Sequence, residues 1–362
     1  MYISLTPYKK WGSYENIDPR ETASLTVTKE DDSINKHRYF LLPRRIMGFD
    51  LKSKKWQALD VDCCSAPKIA KTAIENLVLP EDKQELIKAL VHKFSSSSRN
   101  KKTNKAESAT WSADPIPNKG EGQIFLLHGP PGAGKTFTAE CVAEFTSRPL
   151  LSLTCGDIGT NEVTVEESLV KWFKLAEIWG AVMLIDEADV YLERREVNEL
   201  TRNGLVSVFL RAMEYYRGIL FLTTNRVGHF DPAFFSRIHV YIGYKPLDAQ
   251  GRKRIWLQFF SKLEKERGDE VQVKAGAKRY ILSDDVLKDI EWNGREIRNA
   301  FQTAVALAEY EAMQRGEKDG KLEIELRQDH FEKVVEMSDN FKKYLSTVGE
   351  ANNGDRGDDM LL

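Results

Sequence analysis

The sequence predicts an α/β fold: a parallel sheet sandwiched by helices, with an all-α domain after it and a small extension before it. Three observations carry that expectation. From Gly122 to Ile242 short apolar runs alternate with helical patterns, the arrangement that gives a parallel sheet covered on both faces. A glycine-rich loop stands where the first of those runs meets a helix. After Pro246 the periodicity turns wholly helical.

In chain order, residues 1–65 are polar and dotted with aromatics, with short strands expected at 38–43, 46–49 and 57–61; they read as a β-rich accessory region. Residues 66–121 read as a helical linker. Pro80-Glu81 opens a helix whose Leu86, Ile87, Leu90, Val91 and Phe94 share one face. Ser95 to Ser98, with Arg99, Lys101, Lys102 and Lys105, then lack apolar content and read as a mobile loop. A nuclear-import signal is the second reading of those basic residues. Residues 122–245 form the α/β domain, with strands at 124–127, 150–153, 182–185, 219–222 and 240–242 and helices at 135–147, 166–179 and 200–216. Trp172, Phe173, Leu175, Ala176 and Trp179 fall at helical spacing, as do Leu205, Val206, Phe209, Leu210 and Met213, and both sets are expected in the core. Residues 246–346 form the helical domain, with helices at 252–264, 283–290, 295–313 and 329–344, and residues 347–362 a disordered tail.

Composition narrows the function. Lys+Arg 53 against Asp+Glu 55 gives a net charge of −2, which removes the broad positive field of a dedicated nucleic-acid binder. Four cysteines are too few for a disulfide scaffold and none is in CxxC spacing, so a reducing intracellular compartment, cytoplasmic or nuclear, is expected. Residues 1–20 mix both charges without an apolar run, unlike a signal or transit peptide. No stretch approaches the roughly 20 apolar residues that span a bilayer. The six histidines have no paired ligand spacing, and His128 reads as a packing residue at a strand end.

Gly129-Pro130-Pro131-Gly132-Ala133-Gly134-Lys135-Thr136 is a GxxxxGK[ST] loop between the first strand and the helix that opens at Lys135. Its glycines let the backbone curl so that N–H groups converge on phosphate oxygens, and the helix N-terminus adds a positive dipole. Lys135 is expected to neutralise the β- and γ-phosphates and Thr136 to offer its hydroxyl to Mg²⁺, with Phe137 next in the same cradle. This is the P-loop NTPase pattern, and it predicts a bound nucleoside triphosphate.

Val182-Met183-Leu184-Ile185-Asp186-Glu187 carries two carboxylates to the sheet edge where α/β proteins bind ligands. Asp186 is expected to hold Mg²⁺ through water, opposite Thr136, and Glu187 to polarise the attacking water. Asp189, two residues on, reads as a helix or interface residue.

These two motifs resemble those of the AAA+ ATPases, specifically the AAA-type module. The runs Leu192-Glu193, Arg202-Asn203-Gly204-Leu205-Val206, Tyr215-Tyr216 and Ser236-Arg237-Ile238-His239-Val240 look most like a fungal branch of that family. The resemblance covers roughly residues 66–345 and is most specific from 122 to 243. It implies ATP and Mg²⁺ as cofactors and makes the C-terminal helical domain a lid. Gly218 to Arg226 resembles the family's fourth core strand, which implies that Asn225 holds the lytic water or touches the γ-phosphate.

Phe230 to Arg237 resembles the arginine-finger region, which implies that Arg237 serves a neighbouring subunit's site, with a local salt bridge as the alternative. The family's paired arginines around Pro-Gly are reduced here to one. A trans-acting arginine implies a homo-oligomer, a hexamer by resemblance. Arg295 and Arg298 fall where many AAA+ lids place a phosphate-sensing arginine; Arg295 is favoured, against a solvated helix start. Polypeptide-threading members carry an aromatic–hydrophobic–Gly pore loop after the second strand. Residues 155–162 offer Ile158-Gly159 without the aromatic, which argues against threading.

The expectation is an ATPase that couples ATP binding and hydrolysis to remodelling of an unidentified macromolecular partner. The alternative is a nucleotide-gated assembly switch or scaffold with slow hydrolysis. A DNA machine, suggested by the Ser236-Arg237 pair, is opposed by the balanced charge.

Overall fold

The computed structural model describes residues 44–96, 122–195, 200–226, 230–283, 290–316 and 323–354. The strand expected at 38–43, the basic loop and most of the helix expected at 283–290 lie outside the described residues.

An antiparallel hairpin comes first, β1 (Arg45–Asp50) and β2 (Lys55–Asp60). A 3-10 turn (Lys71–Asn76) and helix α1 (Glu81–Ser96) follow. The α/β part then runs β3 (Gln123–His128), α2 (Lys135–Thr146), β4 (Leu150–Leu153), α3 (Cys155–Ile158) and α4 (Glu162–Trp179). It continues with β5 (Val182–Ile185), α5 (Asp189–Leu192), α6 (Leu200–Tyr215), β6 (Ile219–Thr224) and β7 (Val240–Gly243). The strands lie in the order β4-β5-β6-β3-β7, every neighbouring pair parallel. The chain leaves β3 for one side of the sheet and ends on the other, so β3 is the switch point. The loop at its carboxyl end opens into the crevice where α/β sheets take ligands.

Strand side chains alternate between two cores, as a pleated ribbon requires. Ile124, Leu126, Met183, Ile185, Leu220 and Leu222 enter the core beneath α4 and α6, where Trp172, Phe173, Ala176, Leu205, Val206, Phe209, Leu210 and Met213 are buried as expected. Leu175 and Trp179 pack there partly buried. Phe125, Leu127, Val182, Leu184, Ile219 and Phe221 enter the opposite core beside α2, with Phe125 and Phe221 stacked at 4.7 Å.

Two segments expected to be accessory belong to these cores. Ile74, Leu77, Leu79, Ile87 and Val91 are buried with Phe125 and Val142, so residues 66–96 cover the sheet rather than bridge two bodies. Leu86, expected on the apolar face of α1, stays exposed at 46%. The hairpin sends Phe49 into the α4–α6 core, 4.9 Å from Trp179 and 5.4 Å from Trp56 between ring centroids.

The C-terminal part is built from α7 (Ala249–Arg267), β8 (Val271–Val273), α8 (Ala275–Ile281), α9 (Gly294–Arg315), β9 (Ile324–Leu326) and α10 (Gln328–Gly354). It is not wholly helical: β8 and β9 pair in parallel. Trp256, Phe260, Trp292, Phe301 and Phe331 centre its core. Helix α10 runs to Gly354, past residue 347 where a disordered tail was expected.

Candidate functional site

Glycine is required in the loop after β3 for two separate reasons. Gly129 has φ +142°, and a Cβ there would stand 2.5 Å from the Tyr244 carbonyl oxygen. Gly132 has φ +73°, and its Cβ would stand 2.4 Å from Asn293 Oδ1. Both conformations lie where L side chains are strained. Pro130, Pro131, Ala133 and Gly134 complete the curl, and Gly134 caps α2 in the left-handed region. Phe137, the last residue expected in the cradle, has an exposed ring.

Lys135 is buried at the start of α2, and its Nζ donates to Gly129 O, Pro130 O and Asn225 Oδ1, each at 2.8 Å. Burial pushes its ammonium below the ordinary value; the Asp186 charge draws it back and Arg295 pushes it down again. Burial likewise lowers His128, with Lys83 and Lys135 adding to the effect, and His128 packs over Gly243.

The β5 end delivers the carboxylates beside this lysine. Asp186 N donates to Leu153 O of the neighbouring strand at 2.8 Å. Thr136 Oγ1 lies 3.2 and 3.1 Å from the two Asp186 carboxylate oxygens. Glu187 has an exposed side chain and φ +54°, uncommon for a residue with a Cβ. Asp189 accepts from the Thr224 hydroxyl, a structural contact. Lys135, Thr136, Asp186 and Asn225 are thus brought together at the carboxyl edge of the sheet, with Glu187 next in the chain.

Arg237 is not brought to this cluster. It precedes β7, and His239 N bonds Ile124 O at the opposite, amino edge of the sheet. Four strand residues place it roughly 13 Å or more from the carboxyl edge. Its guanidinium bonds Ala233 O at 3.0 Å, Ser236 Oγ at 3.3 Å and Glu214 Oε2 at 3.4 Å, the local salt bridge that was the alternative.

The helical domain reaches the loop through the start of α9. Asn293 caps it, accepting from Arg295 N at 2.9 Å and Glu296 N at 3.1 Å, while Glu296 takes Asn293 N at 2.6 Å. Gly294 N donates to Gly132 O at 3.0 Å. Arg295 and Arg298 are both exposed, and their charges act on different groups. The Arg295 charge acts on Lys135, and Arg298 acts on Glu140, whose carboxyl burial and Asp186 together raise.

Three contributors escape the sequence pattern. Thr223 donates its hydroxyl to Asp186 and accepts Glu187 N at 2.9 Å. Glu140 on α2 is within the electrostatic reach of Arg298. Asn293 covers Gly132, and the Asn-x-x-Glu capping pattern was the available signal for it. A possible metal group in the helical domain, Glu311, Asp329 and His330, is filled by cations already: Glu311 receives Arg315 at 3.2 Å, Lys333 at 3.3 Å and Arg327.

Comparison with known proteins agrees with this geometry. Residues 125–245 match the AAA family, ATPases associated with various cellular activities, and residues 247–352 match the fungal AAA+ ATPase lid domain. An ATPase family AAA domain-containing protein 3A homolog of Drosophila melanogaster is 30% identical over 172 residues, 46% of this chain and 28% of the relative. The human ATPase family AAA domain-containing protein 3B is 31% identical over 147 residues, 38% of this chain and 22% of the relative. The ATPase family AAA domain-containing protein 3-A of Xenopus laevis is 26% identical over 253 residues, 64% and 41% of the two chains. In each case the match spans less than half of the relative's length. The two family matches together take in more than half of the 362 residues, and the chain belongs to the AAA ATPase family, with an AAA domain followed by a fungal-type AAA+ lid.

Proposed function

We propose that this chain binds ATP with Mg²⁺ and hydrolyses it between adjacent copies, using the resulting conformational change to remodel a macromolecular partner. The observation that carries the reading is the single cluster in which Thr136 Oγ1 lies 3.1 Å from Asp186 and Lys135 Nζ 2.8 Å from Asn225. The donor set is all oxygen, hydroxyl and carboxylate, which suits Mg²⁺. Thr136 and Asp186 would hold the ion, which when bound spreads the negative charge of the phosphates.

The chain's own residues do the rest. Main-chain amides of 129–136 cradle the phosphates and Lys135 exchanges its loop carbonyls for β- and γ-oxygens. Glu187, open to solvent, takes a proton from the attacking water, and Asn225 orients that water. Arg295, whose charge acts on Lys135, is the phosphate-sensing lid arginine in this reading, while the charge of Arg298 acts on Glu140. Arg237 acts on the neighbour's site after leaving Glu214, in a homo-oligomer that resemblance makes a hexamer. Ile158, 1% exposed, is core rather than a grip on an extended chain, which supports remodelling without threading. Four free cysteines suit a reducing compartment, cytoplasm or nucleus. Among the described residues no helix is long and apolar enough to cross a membrane.

Glu187→Gln tests the reading. Turnover is expected to fall about 10²- to 10⁴-fold while MgATP stays bound, because only the general base is lost. Native turnover in that variant overturns it. An assembly switch is the second reading, favoured by the Arg237–Glu214 contact within one subunit. In that case Glu187→Gln leaves nucleotide-dependent assembly and its reversal unchanged.

A further inference from the structure

We propose that the Lys54–Asp157 ion pair makes the β1–β2 hairpin a positioning element for Asp186 and Glu187. The segment preceding the α/β domain thereby sets the rate of hydrolysis through the short helix α3. This rests on the reading of Glu187 as the base.

The hairpin is a fixed point. Lys54 sits in its turn at φ +56°, with its amide bonded to Asp50 O at 2.8 Å. Phe49, 4% exposed, wedges against Trp56, Trp172 and Trp179, so the turn cannot swing without opening the α4–α6 core. From this anchored turn Lys54 Nζ reaches the Asp157 carboxylate, with the two side chains only 21% and 23% exposed. A half-buried pair loses more on truncation than an open surface pair, because the partner is left charged and poorly hydrated.

Asp157 is the hub of α3. The carboxylate that meets Lys54 also accepts Thr154 N and Thr154 Oγ1, each at 2.8 Å, which fixes the exit from β4. Burial works to raise this carboxyl, and the bonds from Lys54 and Thr154 overcome it and hold it below its ordinary value. Leu153, the residue before Thr154, gives its carbonyl to Asp186 N at 2.8 Å. Cys155 Sγ donates to Glu187 O at 3.2 Å, and Tyr191 OH reaches Gly159 O at 2.5 Å and Cys155 O at 3.4 Å. The α3 turn is therefore bonded to the hairpin on one side and to residues 186–191 on the other. Glu187 holds φ +54°, a conformation that persists only where its surroundings over-determine it. Lys54 is the outermost member of that surrounding network and touches none of the residues of the phosphate cluster.

The test is a double-mutant cycle in the full chain: Lys54→Met, Asp157→Asn, both together, and Lys54→Arg, each assayed for turnover at saturating ATP and for MgATP affinity. Asp157→Asn keeps the oxygen that accepts from Thr154. Each single variant is expected to lower kcat about three- to tenfold with affinity unchanged, since small misplacements of reacting groups act on rate rather than binding. The double variant should be no slower than either single one, and Lys54→Arg should keep native turnover. Unchanged kcat in both singles, or losses that multiply in the double variant, overturns the tether. Glu187→Gln assayed alongside separates the two ideas. If it is inactive and Lys54→Met fully active, the tether alone falls; if it turns over at the native rate, the base assignment falls and takes the tether with it.

Discussion

Thr223 does more for the carboxylates than any residue the motifs contain. Its hydroxyl donates to Asp186 while accepting Glu187 N at 2.9 Å, and its carbonyl takes Ala188 N at 2.9 Å. Thr223→Val keeps the shape and removes the hydroxyl, leaving one main-chain amide unsatisfied at a cost of about 1–3 kcal/mol. Turnover is expected to fall about tenfold and the Mg²⁺ needed for half-maximal rate to rise, with Thr223→Ser close to native; steady-state assays across Mg²⁺ concentration read both. Asp186 and Glu187 could be named from the sequence because an apolar run ending in acids is a local pattern. Thr223 could not, because its partnership depends on the β5–β6 register, Ile185 opposite Leu222, which is set across more than thirty intervening residues. The left-handed Glu187 has no sequence signature either.

At the scale of elements, α9 and α10 are joined by charge as well as by core. Glu311 on α9 receives Arg327, just ahead of α10, and Lys333 within it, and His330 Nε2 lies 3.3 Å away. Burial works to raise its carboxyl, but the bonds from His330 and Lys333 prevail and push it down to about 2. A carboxylate held below its unfolded value adds stability above that value and loses it as pH falls through the folded one. The contribution is therefore whole above about pH 4.5 and gone near pH 2. Glu311→Gln should melt a few degrees below the native protein at pH 7, and the gap should close as melts are taken from pH 4.5 downwards. Helices α7, α9 and α10 were readable from their periods, whereas the short α8 was not. Strands β8 and β9 were not, since three residues are too few to show an alternation and their partners lie some fifty positions apart.

For the whole molecule, the decisive fact is that the phosphate cluster and Arg237 occupy opposite edges of one sheet. Under the proposed function, Arg237 therefore serves the site of another copy rather than its own. Arg237→Ala is expected to leave ATP binding intact and to cut turnover about 10³-fold or more, the scale of a supplied arginine. Native activity per chain should rise with protein concentration, and dilution series of both proteins measure it. The fold class could be anticipated because apolar runs alternate with helices, whereas the strand order β4-β5-β6-β3-β7 has no local trace. The same holds for residues 44–79, whose polar stretches conceal Phe49, Ile74 and Leu77 as parts of the cores.

Gly294 N meets Gly132 O at 3.0 Å, and Asn293 fills the space where a side chain on Gly132 would sit. The triphosphate cradle and the bundle behind it therefore share a single seam. The bond runs straight from the loop to the first residue of α9, with no residue between them. In the proposed function, chemistry at the end of a phosphate chain becomes leverage on a lid of roughly one hundred residues.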